Sequence, residues 1–101
     1  MATRCTIKVD GVKFAKVYKH WDGYPDATLN WLESFNEEFA EQRGVDPEYK
    51  FAQLLRSSAV DAELFGLDTS RTMGWGVIQY DDDYGEMYEY TLHNDGSVTY
   101  C

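Results

Sequence analysis

The residues most able to do chemistry lie together in the segment His20–Pro25, which reads His-Trp-Asp-Gly-Tyr-Pro. A histidine two residues before an aspartate can act as an oriented general base, because the carboxylate holds the imidazole in one tautomer. No serine, cysteine or threonine is placed in the sequence as a nucleophile for this pair. The segment therefore specifies no reaction, and we predict a protein with no catalytic residues and no enzymatic activity.

The same segment has two further interpretations, one structural and one based on binding. In the structural interpretation it is a rigid corner, in which Trp21 fills the core and Gly23 adopts a positive φ. In the binding interpretation, aromatic rings enclose a small ligand such as a nucleotide, and lysines of the preceding hairpin (Lys8, Lys13 or Lys19) contact its phosphates. The ligand-binding residues of this second interpretation are Lys19, His20, Trp21, Asp22 and Tyr24.

The cysteines and acidic residues do not form a recognisable metal site. Cys5 and Cys101 lie at opposite ends of the chain without a second ligand nearby in sequence, so we expect free thiols and no zinc. Asp81–Glu86 begins like a calcium-binding loop, but its fifth position is Gly85, which offers no side-chain oxygen. We predict that this run is the solvated tip of a β-hairpin and that the protein holds no metal or cofactor.

A row of acidic side chains follows one face of a predicted helix. Glu33, Glu37 and Glu41 are spaced four residues apart and Glu38 lies beside them, and we call these four residues the acidic stripe. No lysine stands at a neighbouring i+4 position to offset their repulsion. The stripe is either a solvated helix face or a docking surface for a basic partner. In the second interpretation the partner-binding residues are the stripe together with Asp81, Asp82 and Asp83.

The net charge of −9 is unevenly distributed along the chain. Residues 1–20 contain five basic residues and one acidic residue, a net charge of +4. The rest of the chain contains 4 basic and 17 acidic residues, a net charge of −13. A field of this sign repels nucleic acid and anionic membranes and attracts basic protein surfaces. We therefore expect a protein partner with a basic surface, and neither direct nucleic-acid binding nor membrane association.

The chain has the size and composition of one small folded domain. Its 101 residues, 44% of them hydrophobic, are enough to build a core but leave no room for a second domain. No apolar run approaches the roughly 20 residues that a membrane-spanning helix needs, and no apolar stretch follows the first residues as in a secretory signal. These features predict a single cytoplasmic domain over residues 1–101.

The first element predicted from local patterns is a β-hairpin. Asp10-Gly11 is typical of a two-residue turn and separates two strand-like runs. A turn of that length places Ile7 opposite Phe14, with both side chains in the core. In the same register Lys8 and Lys13 pair on the other face, and the repulsion between two facing lysines indicates that an acidic group lies nearby.

Two helices and three strands follow the hairpin. Pro25 and Asp46-Pro47 are typical of helix starts, and Gly44 is typical of a helix end. The last third alternates between strand-like runs and turns, with strands predicted over 75–80, 86–93 and 97–101. The order β-β-α-α-β-β-β predicts an α+β fold, in which the hairpin and a three-stranded carboxyl-terminal meander form an antiparallel sheet with both helices packed on one face.

The turn at His20–Pro25 resembles that of small uncharacterised proteins of prokaryotic and phage-related genomes. The similarity extends through 49–55, Tyr-Lys-Phe-Ala-Gln-Leu-Leu, and through 74–76, Gly-Trp-Gly, to the end of the chain. The resemblance implies a mobile-element setting, in which small acidic proteins often antagonise host defence. We expect a non-enzymatic interaction protein that binds a basic surface of a host or defence protein. The alternative is a protein that binds or sequesters a nucleotide signal.

Overall fold

The computed structural model describes residues 3–20, 23–64, 75–83 and 85–101. Within them the chain forms five strands and two helices in the predicted order. The elements are β1 Cys5–Val9, β2 Ala15–Lys19, α1 Pro25–Arg43, α2 Pro47–Leu64, β3 Trp75–Gln79, β4 Tyr88–Leu92 and β5 Val98–Tyr100.

The five strands form one mixed sheet in the order β3-β2-β1-β4-β5. The α+β class is confirmed, but the antiparallel sheet and the three-stranded meander are wrong. Strand β4 pairs with β1 in parallel, and β3 pairs with β2 and forms an edge of the sheet. Of the expected meander only the antiparallel pair β4–β5 is present, and the hairpin of β1 and β2 is antiparallel as predicted. Alternation along a strand shows which residues face the core, but it does not identify the neighbouring strand.

The hairpin of β1 and β2 contains the predicted turn but has a different register. The Val12 amide donates a hydrogen bond of 3.0 Å to the Val9 carbonyl, which closes the turn at Asp10-Gly11. Pairing then resumes only at Ala15, so Ile7 faces Val17 rather than Phe14. Phe14 is therefore 69% exposed and does not belong to the core. The connection between the paired parts of β1 and β2 is therefore longer than two residues. It includes Val12, whose side chain is buried in the core.

Both helices pack on the same face of the sheet. Alternate residues of β1, β2 and β4 contribute buried side chains to this face, and α1 and α2 add apolar side chains to the same cluster. Periodicity explains the helix contribution, because apolar residues three or four positions apart lie on one side of a helix. The members with no more than 1% exposure are Cys5, Ile7, Val9, Val12, Val17, Leu32, Leu54, Tyr90 and Leu92.

The connection from β3 to β4 crosses the opposite face of the sheet. The two strands lie on either side of the β2–β1 pair, so the segment between them must pass over that pair. Glu86 in this segment contacts Thr6 of β1 and Lys16 of β2, each at 3.5 Å, and the Met87 amide donates to the Arg4 carbonyl at 3.0 Å. The prediction of a hairpin tip at Asp81–Glu86 is therefore wrong. We call the connection between β3 and β4, residues 80–87, the crossover.

Candidate functional site

The acidic stripe lies on the solvent face of α1. The helix begins at Pro25 and ends at Gly44, whose amide donates to the Ala40 carbonyl at 3.0 Å. Leu32 and Phe39 are buried on the opposite side. All four glutamates are exposed, as the predicted helical spacing requires.

The stripe carries unneutralised charge. None of its four glutamates forms an ion pair with any residue that the structure describes, and Glu38 accepts a hydrogen bond of 3.0 Å from the neutral amide of Gln42. Other acidic residues are paired within the fold. Their ion pairs include Lys8–Glu89, Lys16–Glu86, Lys16–Glu89 and Arg43–Asp46.

The turn between β4 and β5 adds a fifth acidic group to this side of the molecule. A Cβ atom placed on Gly96 would lie 3.5 Å from both the Cα of Glu37 and the Cβ of Ala40, so the turn packs directly against α1. The preceding residue, Asp95, is exposed. The Ser97 hydroxyl and the Ser97 backbone amide both donate hydrogen bonds to the Asp95 carboxylate. These bonds, the hydroxyl's being the stronger influence, lower the pKa of Asp95 and keep its carboxylate charged. The sequence indicated the turn but not its contact with α1.

The crossover acids lie on the other side of the sheet from the stripe. Asp83 accepts a hydrogen bond of 2.8 Å from the Gly85 amide, and this bond lowers its pKa. Glu86 lies against Lys16. Because the sheet separates α1 from the crossover, one partner surface cannot contact both the stripe and Asp81–Asp83. These two predicted parts of the site are not brought together.

A buried ionic cluster lies beneath the crossover. The ammonium of Lys16, a residue only 4% exposed, lies 3.3 Å from Glu89, and that of Lys8 lies 3.0 Å from the same carboxylate. Burial raises the pKa of Glu89, but hydrogen bonds from Lys8, Thr6 and Lys16 outweigh burial and lower it overall. The predicted pairing of Lys8 with Lys13 is wrong, because β2 begins only at Ala15, but the acidic group predicted near Lys8 is present as Glu89.

The corner at His20–Pro25 shows a close approach of two backbone segments. Trp21 and Asp22 lie outside the residues that the structure describes. The Gly23 amide donates to the Thr3 carbonyl at 2.9 Å, and the Gly23 carbonyl accepts from the buried Tyr90 hydroxyl at 2.7 Å. A Cβ atom on Gly23 would lie 2.8 Å from the Cβ of Cys5. Gly23 does not have the predicted positive φ, so lack of space explains the glycine.

Two other predicted ligand-binding residues of this region, His20 and Tyr24, lie within the described residues. His20 Nδ1 lies 2.8 Å from the Tyr18 hydroxyl. Tyr24 is extended before Pro25, as a residue preceding proline should be, and is partly exposed.

The lysines of the hairpin do not converge on one anion-binding site. Lys19 is 7% exposed, and its ammonium lies over the rings of Trp31 and Trp75, at 5.7 Å and 5.4 Å from their centroids. Lys8 points to the opposite face of the sheet, where it pairs with Glu89. The described residues therefore give the nucleotide hypothesis no phosphate-binding cluster.

A chain of polar side chains that the sequence did not indicate joins β1, β4 and β5. His93 Nδ1 lies 2.9 Å from the Asp10 carboxylate, and His93 Nε2 lies 2.7 Å from the Thr99 hydroxyl. Carboxylate, imidazole and hydroxyl in this order can activate a nucleophile. The groove lined by Phe35, Phe39 and Tyr49 and the cavity lined by Asp83, Met87 and Cys101 do not include these side chains. The hydrogen bonds link the end of β1 to the final hairpin.

Lys50 of α2 is buried beside the same chain. Its ammonium donates a hydrogen bond of 3.4 Å to the His93 carbonyl. Desolvation lowers the pKa of Lys50, and the charges of Asp10 and Asp95 oppose that effect without overcoming it. These carboxylates partly compensate for burying a cation at this position.

The two cysteines are free thiols, as predicted. Cys5 is buried, and desolvation raises its pKa to about 12, so this thiol stays protonated and unreactive at neutral pH. Cys101 is exposed. Among the residues that the structure describes, no group of three or more acidic, histidine or cysteine side chains could hold a metal ion.

Within the described ranges, neither helix combines the length and apolar character needed to cross a membrane.

The chain matches no protein-family model, and searches of curated proteins and of solved structures gave no significant match.

Proposed function

We propose that this chain is a non-enzymatic interaction protein that uses the acidic stripe to bind a basic surface of another protein. The observation that carries the proposal is the contrast between two sets of acids. Glu86 and Glu89 are paired with lysines of the sheet. The stripe is exposed and has no cation partner among the described residues.

The physical argument is electrostatic. Glutamates four residues apart on a helix repel each other by roughly 0.2–0.5 kcal/mol per pair. A basic partner would relieve this repulsion, and the overall charge of −9 would accelerate its approach. Asp95 extends the negative surface next to Glu37. The contact surface of the proposal is thus the stripe with Asp95, without Asp81–Asp83.

The partner class follows from the resemblance given in the sequence analysis. Small acidic proteins in a mobile-element setting often antagonise host defence by occupying a protein or sequestering a signal. We take the first of these modes, so the proposed partner is a host or defence protein with a cluster of lysines and arginines. Proteins that handle nucleic acid carry such clusters because they contact phosphates.

Charge reversal on the stripe tests this proposal. The wild-type protein captures its partner from the native host, and the partner is identified by mass spectrometry, purified and titrated. We expect the double substitution Glu37→Lys and Glu41→Lys to weaken binding at least about tenfold at low salt, because both lysines repel the partner.

The control is a second double substitution, Asp81→Lys and Asp82→Lys, which gives the same net charge on the opposite side of the sheet. We expect this variant to bind with nearly wild-type affinity. Equal affinities for the stripe variant and the wild-type protein would reject the proposal, and equal losses in the two variants would show that only total charge matters.

A further inference from the structure

An open groove lies between α1 and α2, and one member of the acidic stripe, Glu38, lies on its rim. Its volume is about 270 Å³, and its apolar wall consists of Phe35, Phe39 and Tyr49. The ring centroids are 6.3 Å apart for Phe35 and Phe39 and 6.0 Å apart for Phe39 and Tyr49, so the three rings form one row. Tyr49 is 43% exposed, which leaves part of this row in contact with water.

The polar rim of the groove has one cation that is already ion-paired and one carboxylate, Glu38, that accepts a hydrogen bond from Gln42 but has no ion pair with a described residue. Arg43 forms an ion pair of 3.1 Å with Asp46 and stacks over the Tyr49 ring at 4.1 Å from its centroid. Its charge is therefore compensated locally. Glu38 lines the groove and is also a member of the acidic stripe. The aromatic row and the negative surface consequently meet along one helix, α1.

We propose that this groove binds the apolar side of a basic amphipathic helix of the partner protein. An apolar anchor of that helix sits on Phe35, Phe39 and Tyr49, and its lysines or arginines contact Glu38 and the neighbouring Glu41, one turn further along α1. The inference rests on the proposed function and specifies the partner chemistry.

Charge complementarity and position select this occupant. A partner must present apolar and basic residues on adjacent sides of one element, because the groove and the stripe are adjacent on α1. An amphipathic helix has this pattern, and laying such a helix into an apolar groove is a recurrent mode of recognition. An acidic helix would be repelled by the stripe, and a basic segment without an apolar side would leave the aromatic row uncovered.

Two synthetic peptides of equal composition test the inference. The first is a helix of about four turns with leucines on one side and lysines on the rest. The second is a scrambled sequence without an apolar side. Each is titrated into isotope-labelled protein while amide resonances are followed by NMR. We expect the amphipathic peptide to shift the resonances of Phe35, Gln42 and Gln53 and to bind at least about tenfold more tightly than the scrambled peptide.

The variant Gln42→Trp places a bulky ring at the groove and should weaken binding of the amphipathic peptide at least about tenfold. The matched control is Ala52→Trp, which adds the same ring at an exposed position of α2 that does not line the groove, and it should have no effect. Circular dichroism of both variants verifies that they fold.

Three outcomes would overturn the inference. If both peptides bind equally and shift only stripe resonances, the groove inference fails while the proposed function stands. If the amphipathic peptide binds but Gln42→Trp and Ala52→Trp are equivalent, the groove is not the site. If neither basic peptide binds, the groove inference and the proposed function fail together.

Discussion

Gly23 occupies a position in this fold that has no room for a Cβ atom. The residue lies where the start of α1 approaches Thr3 and Cys5, and its amide is bonded to the Thr3 carbonyl. The space that a methyl group would need is already filled by the Cβ and amide nitrogen of Cys5 and by the Thr3 oxygen. Backbone atoms cannot rotate away as a flexible side chain does. A larger residue at position 23 would therefore force either β1 or the corner at His20–Pro25 to move.

We expect Gly23→Ala to lower the free energy of unfolding by about 1–3 kcal/mol, the usual cost of overpacking. The control Gly76→Ala adds a methyl group where no atom lies within 4 Å, and it should change stability by less than about 0.5 kcal/mol. Urea denaturation of the three proteins provides the measurement. If the two variants were equally stable, the close approach at Gly23 would not limit the residue type.

Asn36 determines how α1 is attached to the rest of the fold. Its side-chain amide, buried inside the protein, donates to the carbonyls of His93 and Ser97 at 2.9 Å and 2.8 Å. The two carbonyls belong to the two ends of the β4–β5 turn. A polar residue in an apolar stripe normally weakens a helix contact, but here the buried amide group has two backbone carbonyls as hydrogen-bond partners. Asn36 thereby fixes the distance between the acidic stripe and Asp95.

We expect Asn36→Asp to lower the free energy of unfolding by at least about 2 kcal/mol, because a buried carboxylate would face two carbonyl oxygens. The control Asn30→Asp makes the same charge change at an exposed position of α1, and its effect should stay within about 0.5 kcal/mol. The stabilities are compared by urea denaturation at neutral pH. Equal destabilisation by both changes would mean that charge, rather than the Asn36 hydrogen bonds, is responsible.

At the scale of the whole molecule, some acidic residues are paired with lysines and others are exposed to solvent. On the face of the sheet that the crossover covers, Glu86 and Glu89 form ion pairs with Lys8 and Lys16. On the helical side, the acidic stripe remains exposed to solvent. Two of the five basic residues among the first 20, Lys8 and Lys16, are therefore paired inside the fold, and the stripe is left as an exposed negative surface.

This division predicts a pH dependence of stability through Glu89. The folded state lowers its pKa below the ordinary value of 4.5, so the stabilisation is present above that pH and is lost as the pH falls through the folded-state pKa. We expect Glu89→Gln to be less stable than the wild type at neutral pH, with the difference narrowing below about pH 4.5.

Denaturation midpoints measured from neutral to acidic pH test the Glu89 prediction. Glu41→Gln, in the exposed stripe, serves as the control and should show no comparable narrowing. A stability difference for Glu89→Gln that stays constant over the pH range would contradict the ionic role assigned to Glu89.

The sequence by itself determined the elements of this protein and much of its surface. Helical spacing identified the exposed stripe, and proline and glycine marked the ends of α1. These features depend on residues fewer than about five positions apart, so local patterns contain them. The net charge and its uneven distribution also follow from the sequence alone.

Only the tertiary structure decided which elements are neighbours. Strand β4 lies beside β1 and β3 beside β2, although a meander fits the same pattern equally well. That pairing turns the predicted hairpin tip into the crossover, pairs its Glu86 with Lys16, and separates Asp81–Asp83 from the stripe. The packing of the final turn on α1 brings Asp95 to Glu37. These contacts join residues far apart in sequence, and they are set by which apolar faces bury one another most completely, a property of the whole chain rather than of any segment.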